Sequence, residues 1–157
     1  MGIKEKCTLE EEEKKEVLEL AQNHTFGLFI ELSLRYGLRP GEIVRLKKCD
    51  LHLEKNQIYV GGTKTEKSKR TIRIKETELL QRLKKLSEER NENDFLFSET
   101  GHMLTRDMVN RNWKSFTKEL SNKELSQLSI HCLRSTFASE MRKHGCSATE
   151  IREAMGV

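Results

Sequence analysis

The spacing of the apolar residues changes twice along this chain, and that change sets its fold class. Up to residue 50 they recur at helical intervals, over residues 57–74 they alternate, and after residue 76 the helical interval returns. Gln57-Ile58-Tyr59-Val60 and Arg70-Thr71-Ile72-Arg73-Ile74 are therefore predicted strands, the second alternating apolar with basic side chains. Gly61-Gly62 and the polar stretch 63–69 are predicted to join them as a hairpin. The fold class that follows is α+β, mainly α: a helical domain with a small antiparallel hairpin or three-stranded sheet on one edge. A length of 157 residues suits one domain, and 35% hydrophobic residues suffice for a core despite 34% charged ones.

The helices are predicted from caps and apolar stripes. Thr8 and Glu11 form a capping box opening a helix over about residues 9–22, whose glutamates suit the positive end of the helix dipole. A second helix spans about residues 25–36 and carries Phe26, Phe29, Ile30, Leu32 and Leu34, so it is buried on most sides and ends at Gly37. Pro40 opens a short third helix. Residues 76–90 place Leu79, Leu80, Leu83 and Leu86 on one face. Phe95-Leu96-Phe97 is a short buried segment. Residues 105–120 present Met108, Val109, Trp113 and Phe116 as a core stripe. The last two helices run from near His131 to His144, and from Ser147, where Glu150 completes a second capping box, to the end at Val157.

Composition excludes several classes. No apolar run approaches the roughly 18 residues of a membrane span. Lys4 and Lys6 lead into an acidic run and not an apolar one, so no signal peptide is expected. Cys7, Cys49, Cys132 and Cys146 lie far apart without a CxxC pair, as befits reduced thiols of a cytosolic protein and not a disulfide frame or zinc site. The net charge of +4 hides an asymmetry: residues 35–75 hold twelve lysines and arginines against Glu42, Asp50, Glu54 and Glu66, a net of +8. Such a block suggests a face that meets a polyanion, usually a nucleic acid; counting charges alone leaves a merely solvated surface open.

The sequence has no P-loop, GxGxxG, HExxH or GxSxG motif. What stands out is a set of cations at constrained positions. Arg39 sits in the turn Gly37-Leu38-Arg39-Pro40-Gly41-Glu42, Lys64 in the hairpin connection, and His131 and Arg134 three apart at a helix start, hence on one face. Two guanidiniums, an ammonium and an imidazole suit a phosphodiester whose charge rises in a pentacoordinate transition state. Arginine offers a fork to its oxygens, and lysine or histidine can deliver a proton to a leaving oxygen.

These residues carry a family resemblance that covers nearly the whole chain. Tyr36-Gly37-Leu38-Arg39-Pro40-Gly41-Glu42-Ile43, then Asp50, then Gly62-Thr63-Lys64-Thr65 leading to Arg70-Thr71-Ile72, resembles the first half of a tyrosine recombinase (phage integrase-like) catalytic domain. His131-Cys132-Leu133-Arg134-Ser135-Thr136-Phe137-Ala138 resembles the HxLRxTFA box of that family, and Phe95-Leu96-Phe97-Ser98 with Gly101, Leu104 and Thr105 follows its pattern.

The resemblance implies the tyrosine recombinase catalytic fold over residues 8–157, with Arg39 and Arg134 as phosphate-clamping arginines, Lys64 as general acid and His131 as the first histidine. Lys67 or Lys69 could stand in for Lys64. Glu42 and Asp50 are assigned to fold support, and DNA contacts to Lys67, Lys69 and Arg70. The implied activity is site-specific DNA recombination or integration through a 3′-phosphotyrosyl intermediate, without metal or other cofactor. The implied partners are double-stranded DNA and further copies in a tetrameric synapse, with no membrane, in the cytoplasm at the nucleoid.

Two departures stand out. The LGH motif of the family should begin near Met155-Gly156, but its histidine slot falls on Val157, and the nucleophilic tyrosine is due about ten residues later. Tyr36 and Tyr59 match neither position. The expectation is a catalytic-domain fragment that ends before its nucleophile and lacks the N-terminal core-binding domain, inactive as it stands. The alternative is a non-catalytic DNA-binding or regulatory relative; a helical protein-interaction domain is the more remote third reading.

Overall fold

The computed structural model describes residues 8–61, 65–98 and 100–157. The chain is mainly helical, with one three-stranded antiparallel sheet. The elements are α1 (Glu11–Ala21), α2 (Gly27–Tyr36), α3 (Pro40–Val44), β1 (Leu51–His52), β2 (Gln57–Val60), β3 (Arg70–Arg73), α4 (Thr77–Glu88), α5 (Arg106–Thr117), α6 (Cys132–Lys143) and α7 (Ala148–Met155).

Helix α2 is the axis of the core because its sequence is apolar on nearly every side. Phe29, Ile30, Leu32 and Leu34 are all buried, and α1, α3, α4 and α6 pack around it. The sheet, ordered β1-β2-β3, covers one flank. Its register sets Ile58 opposite Ile72 and Tyr59 opposite Thr71, so strict alternation turns Ile58, Val60, Ile72 and Ile74 inward and leaves Tyr59 outside. Leu96 of the predicted buried segment is tied to the core by its N–H, which donates to the Leu46 carbonyl at 2.8 Å. Trp113 and Phe116 of α5 stack with ring centroids 6.2 Å apart.

Three expectations need correction. The box at Thr8 and Glu11 forms two residues later, where the Glu13 carboxylate accepts the Glu10 N–H at 2.9 Å. A tertiary bond takes precedence there: the Leu9 N–H donates to Thr136 Oγ1 at 2.9 Å, and Leu9 is buried before the helix can start. Met108 leaves the predicted stripe and is 37% exposed, while Val109, Trp113 and Phe116 are buried. Finally, α7 ends itself at Gly156, which adopts φ 74°, with the Val157 N–H returning to the Arg152 carbonyl at 2.9 Å. The Ser147–Glu150 box forms as predicted, with reciprocal bonds of 2.9 and 3.1 Å.

Gly37 joins α2 to the arginine turn at φ 72°, and a Cβ there would lie 2.4 Å from the Phe137 ring on α6. Gly37→Ala is expected to cost about 2 kcal/mol or more, combining a left-handed alanine with overpacking of that ring. Denaturant unfolding measures it; a loss below about 0.5 kcal/mol would show that the α2–α6 junction relaxes freely. Among the described residues no helix is long and apolar enough to cross a membrane.

Candidate active site

Arg39 and Arg134, singled out in the sequence, gather with Arg70 around a buried carboxylate. Arg39 is the residue before α3, where Pro40 starts the helix without needing a donor. The Glu42 carboxylate caps this turn, accepting the Arg39 N–H at 2.8 Å on Oε1 and Arg39 Nη1 at 3.1 Å on Oε2. From the sheet, Arg70 grips both oxygens of the same carboxylate, Nη1 to Oε2 at 2.8 Å and Nη2 to Oε1 at 3.0 Å. Glu42 is only 4% exposed. Burial alone would raise its pKa, but the Arg70 hydrogen bonds, the Arg39 N–H and the two positive charges outweigh it and hold the carboxyl below its ordinary value.

Arg134 approaches from the first turn of α6, where its Nη1 donates to the Gly37 carbonyl at 2.6 Å. Burial and the neighbouring Arg39 and Arg70 charges lower its pKa to about 10, against the pull of Glu42, so it stays protonated at neutral pH. Three guanidiniums thus sense one carboxylate, which leaves an excess of positive charge, part of it on the partly exposed Arg39. An open cleft of about 810 Å³ receives it, lined by Arg39, Glu42, Arg45, Lys67, His131 and Val157 among others. His131, exposed, also borders a neighbouring hollow of about 410 Å³ with Arg134, Ser135, Arg142 and Met155. The end of α7 adjoins both arginines: Arg39 Nη1 reaches the Met155 carbonyl at 3.3 Å, and Met155 lines the smaller hollow with Arg134.

Arg39, His131 and Arg134 therefore meet in one region, although 95 positions separate the first from the last. Lys64 lies outside the described residues, as does Cys7. Lys67 lines the cleft, and Lys69 is exposed and paired with Glu66 at 3.0 Å. Arg70 does not share their surface: it is 10% exposed and turned inward, contrary to its assignment as a DNA contact. The signal was present in the strand, because position 70 has the parity of Ile72 and Ile74, which face the core. Arg45 and Arg142, which the sequence did not single out, line the same two hollows; Arg142 follows Arg134 in two steps of four along one helix face.

Neither tyrosine is poised at the cleft. The Tyr36 hydroxyl donates to Glu76 and accepts the Lys75 N–H at 2.9 Å, and burial together with the Glu76 bond pushes its pKa up to about 12. Tyr59 lies on the outer face of β2. Asp50 supports the fold as expected, its carboxylate accepting the Lys47 N–H at 2.9 Å.

The chain is similar to known recombinases along nearly its whole length. It is 28% identical over 149 residues to the tyrosine recombinase XerA of Pyrococcus horikoshii, covering 95% of this chain and 52% of that protein. It is 30% identical over 153 residues to the tyrosine recombinase XerA of Saccharolobus solfataricus, covering 98% of this chain and 49% of that protein. The chain thus spans about half the length of the curated relatives it matches. A crystal structure of XerA recombinase superposes with a TM-score of 0.79 at 24% identity, over 99% of this chain and 56% of that one. The Tn1549 transposon integrase in complex with transposon right-end DNA superposes at 0.77 and 21% identity, over 98% and 59%. At these identities the structures speak to the fold alone. The family model, phage integrase, matches residues 8–156. That stretch runs from the segment entering α1 to the glycine closing α7 and includes the arginine turn, the hairpin and the His131 box, and on this match the chain belongs to the phage integrase family.

Proposed function

We propose that the parent protein is a site-specific DNA recombinase or integrase of the tyrosine class, and that residues 8–157 belong to its catalytic domain. The observation that carries this reading is that Arg39 and Arg134 lie close enough for one charge to act on the other and border two adjoining hollows that share His131. In this reading Arg39 and Arg134 clamp the non-bridging oxygens of one phosphodiester, and His131 donates a hydrogen bond to it. A tyrosine beyond residue 157 loses its phenolic proton to a base or solvent as it attacks the phosphorus, a 3′-phosphotyrosyl bond forms as the bond to the 5′-oxygen breaks, and that oxygen leaves with a proton from Lys64. The phosphate is a diester both before and after the exchange, so resealing is the same step reversed with a new 5′-hydroxyl. No metal takes part. Lys67 and Lys69 hold flanking phosphates of double-stranded DNA, copies of the protein assemble as a tetramer on it, and the protein works in the cytoplasm at the nucleoid.

The second reading is a DNA-binding relative that does not cleave, and the placement of Tyr36 and Tyr59 away from the cleft is compatible with both. The coding sequence after residue 157 separates the two, since the enzyme needs a tyrosine roughly ten residues on. DNA binding by the 157-residue chain tests what they share. Its affinity for any duplex is expected in the non-specific range, roughly 10⁻⁴ to 10⁻⁶ M at physiological salt, with a steep salt dependence. Lys67→Ala should reduce the salt slope by about one unit. Binding that ignores salt would contradict both readings.

A further inference from the structure

All three guanidinium nitrogens of Arg70 donate inside the protein. Besides the two Glu42 oxygens, Nη1 donates to the Ser68 carbonyl at 2.7 Å and Nε to the Ala154 carbonyl at 3.0 Å. Ser68 closes the connection between β2 and β3, on which the sequence places Lys64. Ala154 lies in the last turn of α7. One planar group therefore meets three separate parts of the site: the arginine turn, the lysine-bearing connection and the end of α7. There is no slack at this junction, because a Cβ on Gly156 would lie 2.5 Å from Arg70 Nη1 and 3.1 Å from Ser68 Cα.

The geometry around Glu42 makes this more than a fold contact. Arg39 and Arg70 use the same two carboxylate oxygens. Arg70 binds them as a fork, which fixes the carboxylate plane, and Arg39 Nη1 takes its direction from what that plane leaves accessible. A lysine at position 70 would supply charge but not the fork.

We propose that Arg70 is a positioning residue, setting the direction of the Arg39 guanidinium through Glu42 while pinning the hairpin connection and the end of α7 to the same carboxylate. The proposal rests on Arg39 being a phosphate ligand.

The test uses the 157-residue chain, a labelled non-specific duplex and arginine side-chain NMR. Arg70→Gln is expected to move the Arg39 guanidinium resonances and weaken duplex binding several-fold. Arg70→Lys, which keeps the charge and is the milder change to the fold, should move the same resonances and resemble Arg70→Gln in affinity. Arg82→Gln is the control, since it strips a partner from the other buried carboxylate, Glu31. It should lower thermal stability yet leave the Arg39 resonances and the salt slope alone.

In an Arg39→Ala background, adding Arg70→Gln should change affinity by less than about twofold, because two residues acting through one contact are not additive. A further unit of salt slope lost in that double variant would show that Arg70 holds a phosphate itself and would overturn the proposal. Unmoved Arg39 resonances in both Arg70 variants would overturn it equally. Absence of salt-dependent duplex binding by the unaltered chain sinks the DNA reading instead, and the resonances still report whether Arg70 orients Arg39.

Discussion

Arg134→Ala in the parent protein is expected to lower single-turnover strand cleavage by at least ~10²–10³-fold, the cost of one lost transition-state donor. The loss should exceed that figure if the guanidinium spans two phosphate oxygens, and Arg134→Lys should then restore little. Arg39→Ala should behave alike. The positions explain why no neighbour substitutes. Arg134 is held from behind by the Gly37 carbonyl at 2.6 Å, and Arg39 by Glu42 at 3.1 Å, so each guanidinium is placed before DNA arrives. The measurement is accumulation of a covalent protein–DNA adduct on a nicked substrate, in EDTA. Replacing the leaving 5′-oxygen by sulfur should rescue a Lys64 variant, since a thiolate departs without a proton, and should do nothing for the arginine variants. Equal rescue of both would show that Lys64 is not the acid, and a metal requirement would remove the mechanism.

Glu42→Ala is expected to destabilise the chain by about 3–5 kcal/mol, the usual cost of removing one partner from a buried ion pair. It leaves Arg70, 10% exposed, facing Arg39 and Arg134 with nothing between them. The sign of the pH effect follows from the lowered carboxyl pKa. Glu42 contributes stability above its unfolded value of about 4.3, and that contribution disappears as pH falls through the lower folded value. Acid unfolding followed by circular dichroism should therefore show a component below about pH 4 that Glu42→Gln lacks. Parallel acid profiles for the two chains would count against the carboxylate as the centre of the site.

The sequence made local elements legible where one signal dominated. The Ser147–Glu150 cap is built from neighbours in the chain and formed where expected. Alternation in β3 is equally local, and so was the inward parity of Arg70, but its positive charge was given more weight than its position. Long-range partners were not legible. Nothing near Thr8 announces that the Leu9 N–H will be met by Thr136, 127 positions away. Nor does the spacing of Glu31 and Arg82 betray an ion pair joining α2 to α4. The arginine turn and the His131 box were found because each is short and ordered; that Glu42 would anchor both Arg39 and Arg70 depends on a hairpin folding back across 28 residues. The exposure of Met108 depends on how α5 is rotated in its groove, which a stripe drawn from spacing fixes only to within a residue or so.

A carboxylate that answers to two guanidiniums at once constrains how this sequence can drift. An isolated ion pair can be reversed, acid for base and base for acid, with little net change. Glu42 and Arg70 cannot trade places, because Arg39 would then confront a second cation where its N–H and Nη1 now find acceptors. A neutral pair at 42 and 70 strands Arg39 as well. Substitution at any one of the three positions therefore leaves the other two mismatched, and compensation has to come from all three together.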